Sequence, residues 1–306
     1  MSSFKLHGLV AAAHAPFKAD GSLNLAVVEK QAAHFLKNKI TTAFINGSTG
    51  ESHSLSLIER TLLAERWLAV TKDTKLKVVV HVGSNCIEDA RTLAAHAQKH
   101  GAVAISALAP SYFKPRNVNA LVECCVHIAE GAPALPFYFY DIPALTGVSL
   151  AMPEFLEQGG ERIPNLAGIK WTNVDMYNYQ FAMRAAGGVF DLPWGNDEFM
   201  LAALALGAKG AVGSGYCFAA PVYHRIIKAF NAGDLDTARM EQFRGAQLVK
   251  TLVATPSGYL GAAKALMGLL GVPVGPARLP NGNLAAEEIQ QLESALEKIG
   301  FWKWIQ

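Results

Sequence analysis

Apolar residues fall into short, strand-length runs separated by longer stretches with helical spacing, and the two kinds alternate from near the start of the chain to about residue 233. Strands are predicted at residues 8–13, 42–46, 77–82, 103–108, 136–140, 165–172, 189–194 and 210–213. Helical spacing follows each run, at 25–36, 57–70, 87–100, 118–130, 152–158, 176–186, 198–206 and 222–231, with Ser56 well placed to cap the second helix. Eight strand–helix units in series imply a parallel sheet, and eight is the number that closes a (β/α)8 TIM barrel. Beyond residue 234 only helical patterns remain, at 234–253, 259–269 and 285–299. The expected organisation is a barrel over residues 1–233 carrying the active site, with a C-terminal helical extension over 234–306 packed on it. The Pro/Gly-rich GVPVGPARLPNGN between the last two helices is expected to pass over a surface. Phe301-Trp302-Lys303-Trp304 is expected to anchor on the barrel or on a neighbouring subunit.

In such a barrel the loops after the strands converge at one mouth, so the residues at the strand ends carry the chemistry. The sixth run, Asn165 to Thr172, ends on Lys170 between Ile169 and Trp171. A lysine whose stem is sunk among apolar neighbours is partly desolvated, which disfavours the ammonium, and a neutral amine attacks carbonyls. The position therefore predicts a Schiff base, against the competing reading of a lysine that snorkels to solvent. After the second run, GSTGES sets Ser48 and Thr49 among glycines, where backbone N–H groups and two hydroxyls suit a carboxylate, although an ordinary Gly/Ser turn looks the same. The fifth run leads into YDIPALTG. Its Tyr140 is expected beside Lys170, hydrogen-bonded to a hydroxyl such as that of Thr49 and able to shuttle protons; the alternative is a core aromatic continuing Phe137-Tyr138-Phe139. Asp197 and Glu198, after the seventh run, suit hydrogen bonds from a polyol or the first turn of a helix. Gly213-Ser214-Gly215 lets a ligand approach the eighth, and Tyr112-Phe113 after the fourth is an exposed aromatic pair.

Hydrophobic residues make up 51% of the chain and charged residues 17%, enough apolar material for a large core and for subunit interfaces, which excludes a disordered chain. A net charge of +2 without a basic cluster gives no reason to expect nucleic acid or an anionic membrane as partner. No segment has the length of a membrane span and the first residues do not form a signal peptide, so a soluble, cytoplasmic protein is expected. Cys86, Cys124, Cys125 and Cys217 form no CxxC pair and are expected as reduced thiols. His14, His34, His53, His81, His96, His100, His127 and His224 are read as showing no pairing at metal spacing, so no metal site is expected.

GSTGES, YDIPALTG, GIKWT, WGNDE and GAVGS occur in this order, and their combination resembles the N-acetylneuraminate lyase and dihydrodipicolinate synthase superfamily of class I aldolases. APALPFYFYDIPALTGV and GVPVGPARLP are similar to the animal-type lyases of that superfamily, so the likeness reaches nearly the whole chain. Ala144 and Leu145 stand where dihydrodipicolinate synthases usually carry an arginine for the second substrate's carboxylate. The resemblance implies an enzyme, a carbon–carbon lyase that reversibly cleaves N-acetylneuraminate to pyruvate and N-acetylmannosamine, with Lys170 as Schiff-base nucleophile and Tyr140 as proton carrier. Ser48 and Thr49 would hold the substrate carboxylate, and Thr172, Gly195, Asp197, Glu198 and Ser214 would line the sugar tail. It further implies no metal or organic cofactor, and a homotetramer in which Tyr112 from a neighbouring subunit completes the proton relay. The alternatives are a pyruvate aldolase for a 2-keto-3-deoxy sugar acid, a dihydrodipicolinate synthase-like enzyme, and a sugar-acid binding protein without turnover. Asp141 departs from the asparagine or histidine usual after the tyrosine, adding a negative charge near the site unless it faces outward. One wall of the pocket is expected from the helix around Tyr259 and Leu260, with no contact residue assignable.

Overall fold

Side chains along a strand alternate between two faces, and in a closed parallel sheet one face lines the lumen while the other meets the helices. The computed structural model describes residues 4–306 and contains the parallel strands β1 (Gly8–Ala12), β2 (Thr42–Ile45), β3 (Lys77–His81), β4 (Ala104–Leu108), β5 (Phe137–Asp141), β6 (Leu166–Trp171) and β7 (Gly210–Gly213). They lie in the order β6-β5-β4-β3-β2-β1-β7. The stretch predicted as a further strand, residues 189–194, does lie between β6 and β7, but it pairs only through the single bridges Gly168↔Asp191, Trp171↔Trp194 and Trp194↔Ala211. Pro193 in that stretch has no N–H to give to a ladder. Close approach also constrains the seam, because a Cβ on Gly168 would lie 1.7 Å from the Asp191 carbonyl oxygen. The result is a nearly closed (β/α)8 barrel.

The surrounding helices are α1 (Val28–Lys37), α2 (Leu57–Thr71), α3 (Ile87–Lys99), α4 (Val118–Ala129), the short α5 (Pro143–Thr146), α6 (Met152–Arg162), α7 (Met176–Ala182), α8 (Met200–Ala205) and α9 (Tyr216–Asn231). Ser56 caps α2 as expected, its Oγ accepting from Glu59 N while the Glu59 carboxylate accepts from Ser56 N. Two boundaries differ from the periodicity. The helix predicted over 176–186 stops at Ala182 and is followed by a tighter turn over Ala185–Gly188, in which Ala186 and Gly187 take positive φ. The one predicted from 222 begins six residues earlier, with Pro221 accommodated by a non-helical Ala219.

Inside the barrel, Val10, Phe44, Val79, Leu108, Tyr138, Tyr140 and Val212 form one apolar cluster. Outward-facing neighbours pack on the helices: Phe139 meets Phe155 of α6 at 4.8 Å and Trp171 meets Tyr179 of α7 at 5.2 Å between ring centres. The end away from the mouth is tied by Asp191, whose carboxylate accepts from Leu6 N at 2.7 Å and Tyr138 OH at 2.8 Å.

After the barrel come α10 (Leu235–Val253), α11 (Gly258–Leu269), α12 (Ala286–Ile299) and α13 (Phe301–Trp304). The last buries Phe301 and Trp304, and Arg225 of α9 donates to the Trp304 carbonyl at 2.8 Å, so the aromatic segment anchors on the barrel's own helix. The Pro/Gly-rich linker does more than pass over a surface. Buried Lys264 of α11 donates to Glu51 at 2.7 Å and to the carbonyls of Ala15 and Pro276, while the other Glu51 oxygen accepts from Arg278 N at 2.7 Å. The Arg278 guanidinium then forks onto Glu59, at 2.8 and 2.5 Å, over the Phe17 ring. Glu51 belongs to GSTGES, so the linker and the loop after β2 are stapled into one unit. Removing one member of a buried ion pair strands the other charge. Lys264→Met is expected to lower the unfolding free energy in a urea titration by about 3–5 kcal/mol; an unchanged midpoint would show that Glu51 is held by its Arg278 bond alone.

Candidate active site

β5 and β6 run side by side in a register that sets Tyr140 opposite Lys170. Both belong to the inward-facing set, since Phe139 and Trp171 take the outward positions. Lys170 Nζ consequently sits over the Tyr140 ring, 3.6 Å from its centre, and 4.4 Å from the centre of Phe44. The lysine is buried to 4% exposure, and among the described residues its amine has no hydrogen-bond or ion-pair partner. It opens into a cavity of about 570 Å³ at the C-terminal ends of the strands.

The same cavity is lined by Ser48, Thr49, Tyr140, Thr172, Gly195, Asp197, Glu198 and Ser214, so the strand-end residues named from the sequence converge, Tyr112 excepted. One pairing differs from expectation. The hydroxyl nearest the Tyr140 phenol is that of Ser48, at 3.4 Å, and not that of Thr49. The reason lies in the loop backbone, which turns sharply at Asn46 and Glu51, both with positive φ. That turn is held from beneath: Asn46 Nδ2 donates to the Arg60 carbonyl, and the buried Arg60 guanidinium donates to the carbonyls of His81 and Gly83, at 2.9 Å each. His81 Nδ1 lies 2.9 Å from the Asn46 carbonyl and its ring stands edge-on to Tyr140 at 5.8 Å. Burial, reinforced by Arg60, pushes His81 well below the usual histidine range, so it is neutral and Nδ1 donates.

The opposite wall is crowded from behind. A Cβ on Gly195 would lie 1.9 Å from Thr172 Oγ1, and one on Gly213 would lie 1.6 Å from Asp197 Oδ1, so a side chain at either position would displace Thr172 or Asp197. Asp197 accepts from Gly215 N at 2.6 Å through Oδ2, while Asp197 Oδ1 and Thr172 Oγ1 are buried without a partner among the described residues. Burial, and then the adjacent Glu198 charge, push Asp197 up to about 7. Ser214 Oγ lies 2.7 Å from the hydroxyl of Tyr259, in the first turn of α11. Tyr259 is the wall residue that the sequence left unnamed. Its helix was legible, but its facing depends on how α11 docks. Asn281 of the linker lines the cavity as well.

Three further placements bear on the expectations. Tyr112 is 80% exposed, on the surface outside the cavity, with its N–H held by Asn85 Oδ1. Asp141 does not line the cavity. It accepts from Asn173 Nδ2 at 2.9 Å on the outer side of β5, and burial pushes it up to about 6. The expectation that no histidines pair at metal spacing is corrected: His96 in the last turn of α3 and His100, the residue that caps its C-terminus, are one turn apart and both face Glu65 of α2. The four residues of separation are plain in the sequence; the carboxylate from the neighbouring helix is not.

Comparison with known proteins bears on this arrangement. A model of the dihydrodipicolinate synthetase family matches residues 5–299. N-acetylneuraminate lyase of Rattus norvegicus is 37% identical over 300 residues, covering 97% of this chain and 93% of that protein. The solved structure of Proteus mirabilis N-acetylneuraminate lyase superposes with a TM-score of 0.93 at 39% identity, covering 97% of this chain and all of that one. That of N-acetylneuraminate lyase (sialic acid aldolase) from Aliivibrio salmonicida gives 0.93 at 40%, covering 97% and 98%. With the family model spanning nearly all of the chain and relatives this close over its full barrel and extension, the chain belongs to the dihydrodipicolinate synthetase family.

Proposed function

We propose that this protein is a Schiff-base aldolase, a carbon–carbon lyase that reversibly cleaves N-acetylneuraminate to pyruvate and N-acetylmannosamine. The observation that carries the reading is the unpaired Lys170 amine set over the Tyr140 ring, with the Ser48 hydroxyl at the phenol. An amine without a hydrogen-bond partner is available to add to a ketone, and a phenol chained to a hydroxyl is placed to move protons. Leu145 lines the cavity where dihydrodipicolinate synthases usually carry arginine, which supports a lyase over a synthase.

In this reading Lys170 adds to the C2 ketone of the open-chain sugar acid. Loss of water leaves an iminium, which accepts the electron pair as C3–C4 breaks. The Tyr140 and Phe44 ring faces that border the amine also border that cation, and a cation over an aromatic face is stabilised by about 0.5–2 kcal/mol. Tyr140 takes the C4 hydroxyl proton as the bond breaks. The enamine that results is protonated, and hydrolysis of its iminium releases pyruvate and frees the lysine. Ser48 and Thr49 hold the carboxylate and fix the ketone against the amine. Thr172, Asp197, Glu198 and Ser214 receive the hydroxyl-rich tail, with Gly195 leaving room for it. No metal or organic cofactor enters this sequence. Tyr112, exposed on each subunit, completes the relay of a neighbour in a homotetramer. A cytoplasmic location accords with four unpaired thiols and with the absence, among the described residues, of a helix long and apolar enough to cross a membrane.

The decisive measurement is mass spectrometry of the protein treated with pyruvate and borohydride, alongside Lys170→Ala, with an assay for pyruvate released from N-acetylneuraminate. A pyruvate-sized adduct on Lys170 together with release is expected; an adduct without release would discard the substrate, and no adduct would discard the mechanism. Tyr140→Phe keeps the ring and deletes the proton carrier, so kcat should fall by about 10²–10⁴-fold; a fall of less than tenfold assigns proton transfer to another group. Asp197 generates a pH-dependent expectation. Its carboxyl is raised from 3.8 to about 7, so between those values the folded chain keeps a proton that the unfolded chain has lost. The stability it gives is complete below that window, falls across it and is gone above about 7. Asp197→Asn, neutral throughout, should therefore gain in Tm on the wild type between pH 5 and pH 8; a constant offset would show that Asp197 is ionised across the range.

A further inference from the structure

On the outside of the barrel, α2 and α3 bring three metal-capable side chains to one point. The His96 and His100 rings, one helical turn apart, stack at 4.3 Å with 25° between their planes. Both Nε2 atoms address the same oxygen, Glu65 Oε1, at 2.8 Å from His96 and 3.8 Å from His100, and all three donor atoms lie within 4.8 Å of one another. Donors held 2.0–2.1 Å from a tetrahedral zinc ion are roughly 3.4 Å apart, between the two separations seen here. A hydrogen bond joins Glu65 and His96, whereas His100 at 3.8 Å is beyond hydrogen-bond reach and meets Glu65 only as an ion pair when its ring is protonated.

We propose that Glu65, His96 and His100 bind a divalent transition metal of the zinc class, with water completing the coordination. Two imidazoles and one carboxylate suit zinc, nickel or cobalt, and are too nitrogen-rich for magnesium or calcium. The side chains are 44%, 17% and 33% exposed, which leaves the point open to an entering ion. The histidines close α3, a helix that runs back from the mouth, so the ion lies away from Lys170 and touches no substrate. Its effect is to clamp α2 to α3.

The test is calorimetric titration of the untagged, full-length protein with Zn²⁺, paired with thermal unfolding. One zinc per chain is expected, with a rise of a few degrees in Tm at saturating metal. His96→Ala and His100→Ala should each weaken binding more than tenfold and abolish the rise, while activity without metal stays at the wild-type level. His100→Gln, at the more exposed position, replaces the alanine variant should that one fail to fold. Absence of saturable binding by the wild type overturns the site. So does binding of equal strength in the histidine variants, which would assign the ion to thiols such as the exposed Cys86.

Discussion

A primary amine inside a barrel has exchanged most of its water for something else, and the site depends on what replaces it. Around Lys170 the replacement is two ring faces, Tyr140 and Phe44, rather than a carboxylate. A carboxylate would hold the ammonium in an ion pair and occupy the nitrogen, whereas a ring face leaves the nitrogen's reactive direction open. The arrangement exists only in the observed register of β5 and β6, because a one-residue slip would turn one of the two side chains out toward the helices. That register is secured from the outer side, where Phe139 packs on Phe155 and Trp171 on Tyr179. The bulky outward residues thus fix the placement of the reactive inward ones.

The wall facing the amine follows a second constraint, close approach. Gly168, Gly195 and Gly213 each stand where a Cβ would lie within 2 Å of a neighbouring oxygen. At Gly168 the close approach draws residues 189–194 against β6 and narrows the barrel. At Gly195 and Gly213 it admits Thr172 Oγ1 and Asp197 Oδ1, both buried without partners. An unsatisfied buried polar atom costs about 1–3 kcal/mol, so this wall is assembled at the expense of stability.

Much of this was legible beforehand, for identifiable reasons. The order of strands and helices is carried by periodicity, and Lys170 by its place at the end of an apolar run. The misreadings occur where local pattern and tertiary geometry part. Residues 189–194 have the composition of a strand, but Pro193 and the tight seam at Gly168 leave only bridges. Ser48 and Thr49 are adjacent and chemically alike, and only the turn fixed by Asn46, Arg60 and His81 decides which hydroxyl meets Tyr140. Tyr259 and Asn281 enter the site from beyond the barrel, through the docking of α11 and the Glu51–Lys264 staple, which no local pattern encodes. Glu65 joins His96 and His100 for the same reason, from a separate helix.

Two buried carboxylates near the mouth separate geometry from titration. Asp141 and Asp197 are both raised by burial, to about 6 and about 7, and by that measure alone each marks a functional position. Their partners differ. Asp141 faces away from the cavity and takes an amide hydrogen bond from Asn173, so its burial serves the packing of the loop after β6. Asp197 lines the cavity that Lys170 opens into, with one oxygen accepting from Gly215 N and the other packed tight behind Gly213. Only the second borders the cavity. The alternation of β5 that brings Tyr140 in turns Asp141 outward, the arrangement in which its charge does not enter the site.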